Sequence, residues 1–469
     1  MQHKKWMIAL AFMACGPALA DEAGEVAARL AELRAEIAQM KATYEQRIAA
    51  LEAQLAETRA GHPAQGQSSL PAGAAPATAR ATTAAQGGAT AFNPEISLIL
   101  QGAYKARKKV AEPGIGGFVR AGGHDHGEEG HDAGHKRGFT LDHTELVLAA
   151  NIDNRFRGQT TIALIDNEAE LEEAWFQTLG LGNGLGLKAG RFFSGIGYQN
   201  EQHAHQWDFY EQPLLYQALF GEHGYIQDGV QAKWVAPTDL FIELGAEAGR
   251  GERFPGSDRN RNGANSHALF AHVGGDIGAS QSWRAGLSWL RTQADGRESH
   301  FESELYGEAH GAFSGKSRVW LADFVYKWAP DGNPRNRNFK FQAEYFQRRE
   351  HGRLGAEDED GNDLGEAAYR TRQSGYYVQG VYQFTPNWRA GLRYDRLNSG
   401  SQNLGENPAG IEALDYRPRR ASLMVDYSWS EFSRLRLQFA RDRSLPGITD
   451  NQVTLQYIMS LGSHGAHKF

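Results

Sequence analysis

From Phe92 onward, apolar and polar residues alternate with a period of two, and this limits the possible folds more than any other feature. Trp388, Ala390, Leu392 and Tyr394 alternate with Arg389, Gly391, Arg393 and Asp395. Phe339, Phe341, Ala343 and Tyr345 alternate with Lys340, Gln342, Glu344 and Phe346. A soluble sheet with one apolar face needs a second layer to cover it. No stretch here has the helical period to supply one, so lipid is the expected cover. The fold class expected is an all-β transmembrane barrel of antiparallel strands. Sixteen such runs are centred near residues 100, 146, 161, 175, 188, 231, 244, 271, 287, 323, 343, 380, 392, 424, 437 and 456. Tight turns are expected at Asp153-Asn154, Pro237-Thr238-Asp239, Ser280-Gln281 and Thr385-Pro386-Asn387. Long loops are expected near 106–137, 195–225, 251–265, 294–315, 351–371 and 399–415.

The residues before the barrel read as three pieces. Residues 1–20 have the form of a signal peptide, with Lys4 and Lys5, a short apolar run and Ala18-Leu19-Ala20. Residues 21–60 carry a seam of Val26, Leu30, Leu33, Ile37, Met40, Tyr44, Ile48, Leu51 and Leu55. These step by threes and fours, as in a short α-helical coiled coil. Residues 61–91 are Ala, Gly, Pro, Ser and Thr, a flexible linker, and the barrel is assigned to 92–469.

Composition excludes several functions. The formal charge is −7, and −9 once Lys4 and Lys5 leave, which disfavours nucleic acid as a partner. Cys15 is the one cysteine; a lipoprotein cleaved at it is the competing reading, and if it leaves with the signal, thiol chemistry and disulfides drop out. No nucleophile elbow, zincin motif or P-loop is present, so no enzyme is expected.

Three groups of residues could carry a transport function. His124, His126, His131 and His135 fall within twelve glycine-rich residues and offer donors suited to divalent metals. The segment near 195–225 carries Glu201, His203, His205, Asp208, Glu211 and His223 beside Trp207, Phe209, Tyr210, Leu214 and Leu215. Its apolar content suits a loop folded into the lumen, where His203, His205 and Asp208 would meet a passing cation. By strand parity Arg157, Lys188, Arg284, Lys340, Arg389, Arg393, Arg420, Arg434 and Arg436 point to the lumen and line the pore. They oppose fewer acids, among them Glu145, Glu243, Glu247, Glu344, Asp395 and Asp426. Arg191 falls on the other parity from Lys188, so a bulge or strand end is expected near Gly190.

The order signal, coiled coil, linker and barrel resembles the trimeric coiled-coil porins, including the DcaP-like and phosphate-selective O/P-type families. Phe92-Asn-Pro-Glu-Ile-Ser-Leu-Ile-Leu-Gln-Gly102, Ala189-Gly-Arg-Phe-Phe-Ser194 and the ending Ser460-Leu-Gly-Ser-His-Gly-Ala-His-Lys-Phe469 resemble a histidine-rich subgroup linked to zinc supply. The terminal Phe469 resembles the signal read by the barrel-insertion machinery. The resemblance implies a homotrimer in the lipid bilayer of a bacterial outer membrane, with the coiled coil in the periplasm. It implies passage of small ions or solutes, divalent zinc first, with weakly bound zinc as the one candidate cofactor and none required. Two alternatives stand beside it: a general or anion-selective porin for phosphate or small carboxylates, and a structural envelope-tethering protein or adhesin.

Overall fold

A computed structural model describes residues 95–110, 114–119, 136–165, 168–221, 223–303 and 305–462. The signal peptide, coiled coil and linker expected from the sequence lie outside these residues, as do His124, His126, His131, His135 and Phe469.

The described chain forms antiparallel strands in sequence order: β1 (Glu95–Ala106), β2 (Gly138–Leu141 continued by Thr144–Asn151), β3 (Phe156–Ile165), β4 (Glu168–Thr178), β5 (Leu185–Phe193), β6 (Ile226–Val235), β7 (Phe241–Gly249) and β8 (Ser266–Ile277). They continue as β9 (Gln281–Ser303), β10 (Gly307–Trp328), β11 (Asn338–Asp358), β12 (Asp363–Gln383), β13 (Trp388–Asn398), β14 (Arg419–Ser430), β15 (Ser433–Arg443) and β16 (Asp450–Gly462). Gln402–Asn403 adds only a short pairing to β12. β1 pairs with both β2 and β16, so the sheet closes on itself with sixteen strands. Each falls on one of the sixteen centres read from the alternation.

Side chains follow the parity that a barrel in lipid requires. Leu392 is 65% exposed and its neighbour Arg393 only 3%; Leu287 is 53% exposed and Ser288 1%. Apolar residues lie outside and polar ones inside, the reverse of a soluble sheet.

Two loop assignments need correction. Residues 294–315 and 351–371 are largely strand, because the β9–β10 and β11–β12 hairpins run 21 to 23 residues per strand. Their tips have a small core of their own, with Phe313, Leu354, Tyr369, Leu404 and Ile411 buried together, so the alternation continues beyond the bilayer. Of the bulge or strand end expected near Gly190, no bulge interrupts the pairing of β5 with β6, while its ladder with β4 ends at Arg191 opposite Ala174. Pairing of β5 with β6 runs unbroken from Leu185 to Phe193, and Arg191 simply faces out, its guanidinium 2.6 Å from Asp228.

The connection between β5 and β6, residues 194–225, folds inward as its apolar content predicts. It includes one short helix, α1 (Leu214–Phe220). Leu214, Leu215 and Leu219 pack against inward residues of β8 to β13, among them Phe270, Leu290, Leu321, Phe346 and Leu397. Gly197 marks the tightest crossing. Its φ is +71°, and a Cβ there would lie 2.4 Å from the Tyr216 hydroxyl and 2.6 Å from the Glu344 carboxylate, so only glycine fits.

Candidate metal centre

Irregular backbone at membrane depth is tolerated only where protein groups or lumen water satisfy it. The lumen does this with arginines. Arg284 donates to the carbonyl of Gly197 at 3.0 Å, Arg434 to His205 at 2.7 Å and Arg436 to Trp207 at 2.9 Å. Arg393 donates to Glu211 at 2.7 Å, Arg420 to Gln212 at 2.6 Å and Arg348 to Ala218 at 3.1 Å. Their charges are balanced locally. Asp426 is fully buried between Arg436 at 2.8 Å and Arg389 at 2.6 Å, and Arg393 lies 3.0 Å from Asp395. Glu344 accepts from the Tyr216 hydroxyl at 2.7 Å, the Tyr377 hydroxyl at 2.6 Å and the backbone of Gln199 at 3.0 Å.

Asp208 therefore cannot meet a passing cation. Lys340 and Arg389 hold its carboxylate. Burial alone would raise its pKa, but these two cations outweigh it and set it at about 2. Of the other residues assigned to the lumen, Lys188 packs over the Trp175 ring and Arg157 pairs with Glu95. Most of the inward cations thus hold the segment or an acid of the wall.

The opposite end of the segment meets acids. Two irregularities in the strands place them. β4 carries an extra residue opposite β3: Thr161 faces Glu173 and Ile162 faces Leu171, leaving Glu172 as the bulge. A bulge re-aims side chains, and here the adjacent Glu172 and Glu173 are both buried. β2 is interrupted at Asp142-His143. Leu141 pairs with Gly102 and Glu145 with Ile99, so four steps along β2 face three along β1.

Onto these groups the segment lowers its histidines. His203 Nδ1 lies 3.2 Å from Glu172 and 3.3 Å from Glu145, and its Nε2 lies 3.1 Å from Glu173. His205 Nδ1 lies 3.1 Å from Glu145 and its ring stacks on His203 at 5.8 Å. His143 Nε2 lies 3.5 Å from Glu172, and the His143 and His223 rings are 5.6 Å apart. Glu145, Glu172 and His203 can each offer one ligand atom, all within 4.8 Å of one another, and so can His143, Glu172 and His223. The two sets share Glu172.

The loop histidines differ in charge. Burial pulls the His203 pKa down, but the carboxylates of Glu145 and Glu172 outweigh it and hold it well above the ordinary 6.5. Burial and the nearby His143 lower that of His223, leaving a neutral ring. The sequence reading named His203, His205, His223 and Glu145 but not this arrangement. It did not name His143, Glu172 or Glu173 as ligands, and no local signal in the sequence marks the extra residue that buries both glutamates.

No family model matches the chain. Among solved structures, OmpTdeltaL8, a loop deletion mutant of an outer membrane protein of Vibrio cholerae, is 11% identical, with 79% of this chain and 99% of that chain covered and a TM-score of 0.48. The outer membrane channel DcaP of Acinetobacter baumannii is 11% identical over 79% and 97%, with a TM-score of 0.44. The anion-selective porin from Comamonas acidovorans is 10% identical over 79% and 99%, with a TM-score of 0.45. An uncharacterized protein of Aquifex aeolicus (strain VF5) is 31% identical over 408 residues, 81% of this chain and 80% of its own length. At that identity and coverage, the chain belongs to the same protein family as the Aquifex aeolicus protein.

Proposed function

We propose that this barrel is a porin-like channel of the bacterial outer membrane and that divalent metal, zinc first, is its cargo. One observation carries the reading: Glu145, Glu172 and His203 converge within 4.8 Å where the inserted segment meets the lumen wall. Mixed imidazole and carboxylate donors suit Zn²⁺ and similar ions. The adjoining His143–Glu172–His223 set gives a cation a second place to go while Glu172 still holds it. Conduction needs such sites, favourable enough to enter and several enough to leave. The imidazole-rich stretch of His124, His126, His131 and His135 would collect the ion at the mouth. An anion-selective reading has less support, because the inward arginines hold carbonyls and carboxylates of the protein. A homotrimer held by the coiled coil completes the proposal.

The test is single-channel recording in planar bilayers with zinc titrated on one side. Zinc should reduce the monovalent current of the wild type in a saturable way, and Glu172→Gln should shift the midpoint strongly. Losing an outer-shell partner costs a metal site about 10–100-fold, and losing a shared direct ligand should cost at least as much. An unchanged zinc midpoint, with the folded band intact on a heat-modifiability gel, would sink the metal reading and leave a general channel.

The same titration should depend on pH. His203 must shed its proton before it binds metal, and its raised pKa places that competition above 6.5, so zinc affinity falls as pH is lowered. In the metal-free protein the sense reverses. The pairing of charged His203 with Glu145 and Glu172 is fully present below pH 6.5 and is lost as pH rises through the raised value. Zinc affinity that is flat with pH would show that His203 is not a ligand.

A further inference from the structure

The outer surface of β9 to β15 changes abruptly at one level. On β9 the outward run Trp283, Ala285, Leu287, Trp289 ends at Arg291, and on β10 the run Phe324, Ala322, Trp320 ends at Arg318. Phe341, Ala343 and Tyr345 on β11 lead through Gln347 to Arg349. Val378 and Tyr376 on β12 lead through Ser374 to Arg372. β13, β14 and β15 repeat the pattern, with Tyr394 before Arg396, Ala421 before Arg419 and Phe439 before Arg441. The first charged outward residue on seven consecutive strands is arginine, always toward the end that bears the longer loops.

The register makes this costly unless something compensates. Arg291 pairs across the ladder with Arg318, Arg318 with Arg349 and Arg349 with Arg372. On the neighbouring strands Arg396 pairs with Arg419. Like charges directly opposite are destabilising. Among the described residues none of these arginines forms an ion pair; Arg349 donates to Gln347, and Arg291 Nε is buried without a hydrogen-bond partner. A row of guanidiniums without acids calls for an anion from outside the chain, and phosphate is the anion whose geometry the guanidinium fork matches.

A second feature lies beneath the row. A concavity of about 780 Å³ opens on the outer wall, lined by apolar side chains that include Leu392, Leu423, Phe439 and Val453, with Arg441 at its edge. Apolar groove below and cations above are the two halves of an amphiphile's binding site.

We propose that this face binds a lipid of the outer leaflet by its phosphates, with acyl chains in the groove and the headgroup phosphate on Arg318, Arg349, Arg372 and the adjoining Arg396, Arg419 and Arg441. The proposal rests on the barrel spanning an outer membrane and is independent of what passes through its lumen. It also explains the one-sidedness. On β5 and β6 the corresponding outward cation, Arg191, already has Asp228.

The test uses the purified full chain in phosphatidylcholine nanodiscs, with and without diphosphoryl lipid A, read by native mass spectrometry and by the temperature at which the folded band is lost. Lipid A should bind stoichiometrically and raise that temperature, and fully dephosphorylated lipid A should not. Replacing Arg318, Arg349 and Arg372 together by Gln should weaken binding about tenfold or more, while channel conductance, measured in parallel, stays at the wild-type value. These side chains are exposed, so the variant should fold. Equal binding of the dephosphorylated lipid would overturn the proposal, and so would displacement by millimolar inorganic phosphate. Loss of the oligomer in the variant with lipid binding unchanged would assign the face to a neighbouring copy instead.

Discussion

Replacing Asp426 with Asn should destabilise the folded barrel by about 3–5 kcal/mol, the cost typical of removing one partner from a buried charge cluster. The carboxylate is fully buried and is the shared counter-ion of Arg436, Arg389 and, at 3.9 Å, Arg434. Asn keeps the shape and removes the charge, so the loss is electrostatic and leaves no cavity. Those arginines also hold the carbonyls of His205 and Trp207, so the inserted segment should loosen with them. The checks are the temperature at which the heat-modifiable band disappears and the noise of the open-channel current. A variant with the wild-type temperature and a quiet current would mean that Asp208 and the segment's carbonyls suffice to balance the cluster.

The second large effect concerns the segment itself. Joining Ser194 to Tyr225 through a short Gly-Ser bridge removes His203, His205, His223 and α1 together. Barrels of this strand number enclose an aqueous channel when nothing fills them. Conductance should therefore rise severalfold, and zinc should no longer affect it. The strands keep their ladders, so the protein should still fold, with lower stability from the inward apolar patch left bare at Phe270, Leu290 and Phe346. An unchanged conductance would place the narrowest point elsewhere. Raised conductance with the zinc effect retained would assign the metal to groups outside the segment.

Much of this was legible in the sequence, for definite reasons. A strand in lipid must alternate, so the runs through Trp388–Tyr394 and Phe339–Tyr345 announce strands, and Pro237-Thr238-Asp239 announces a turn. Trp207, Phe209, Leu214 and Leu215 in a connection between strands announce a segment that must bury them. Glu145 was legible by parity, but Glu172 and Glu173 were not, because parity assumes unbroken pairing. One extra residue at Glu172 turns two neighbours to the same side, and no local pattern in Glu170-Leu171-Glu172-Glu173 distinguishes that from ordinary alternation. The role of the arginines was hidden for another reason. Parity shows which way Arg393, Arg434 and Arg436 point, but their partners lie some 180 to 230 residues away in the chain.

The arginine grip also bears on how such a chain can change. Six guanidiniums recognise main-chain oxygens of the segment, and a main-chain oxygen is the same whatever side chain it carries. Substitutions along the segment's free face can therefore accumulate without releasing it, provided Gly197 and the apolar side of α1 are kept. The wall behaves as a socket, and the segment as an exchangeable insert whose histidines could be swapped for other ligands in the same seat. Variants carrying Asp, Cys or Met at positions 203 and 205 would show whether one barrel accepts several metal preferences.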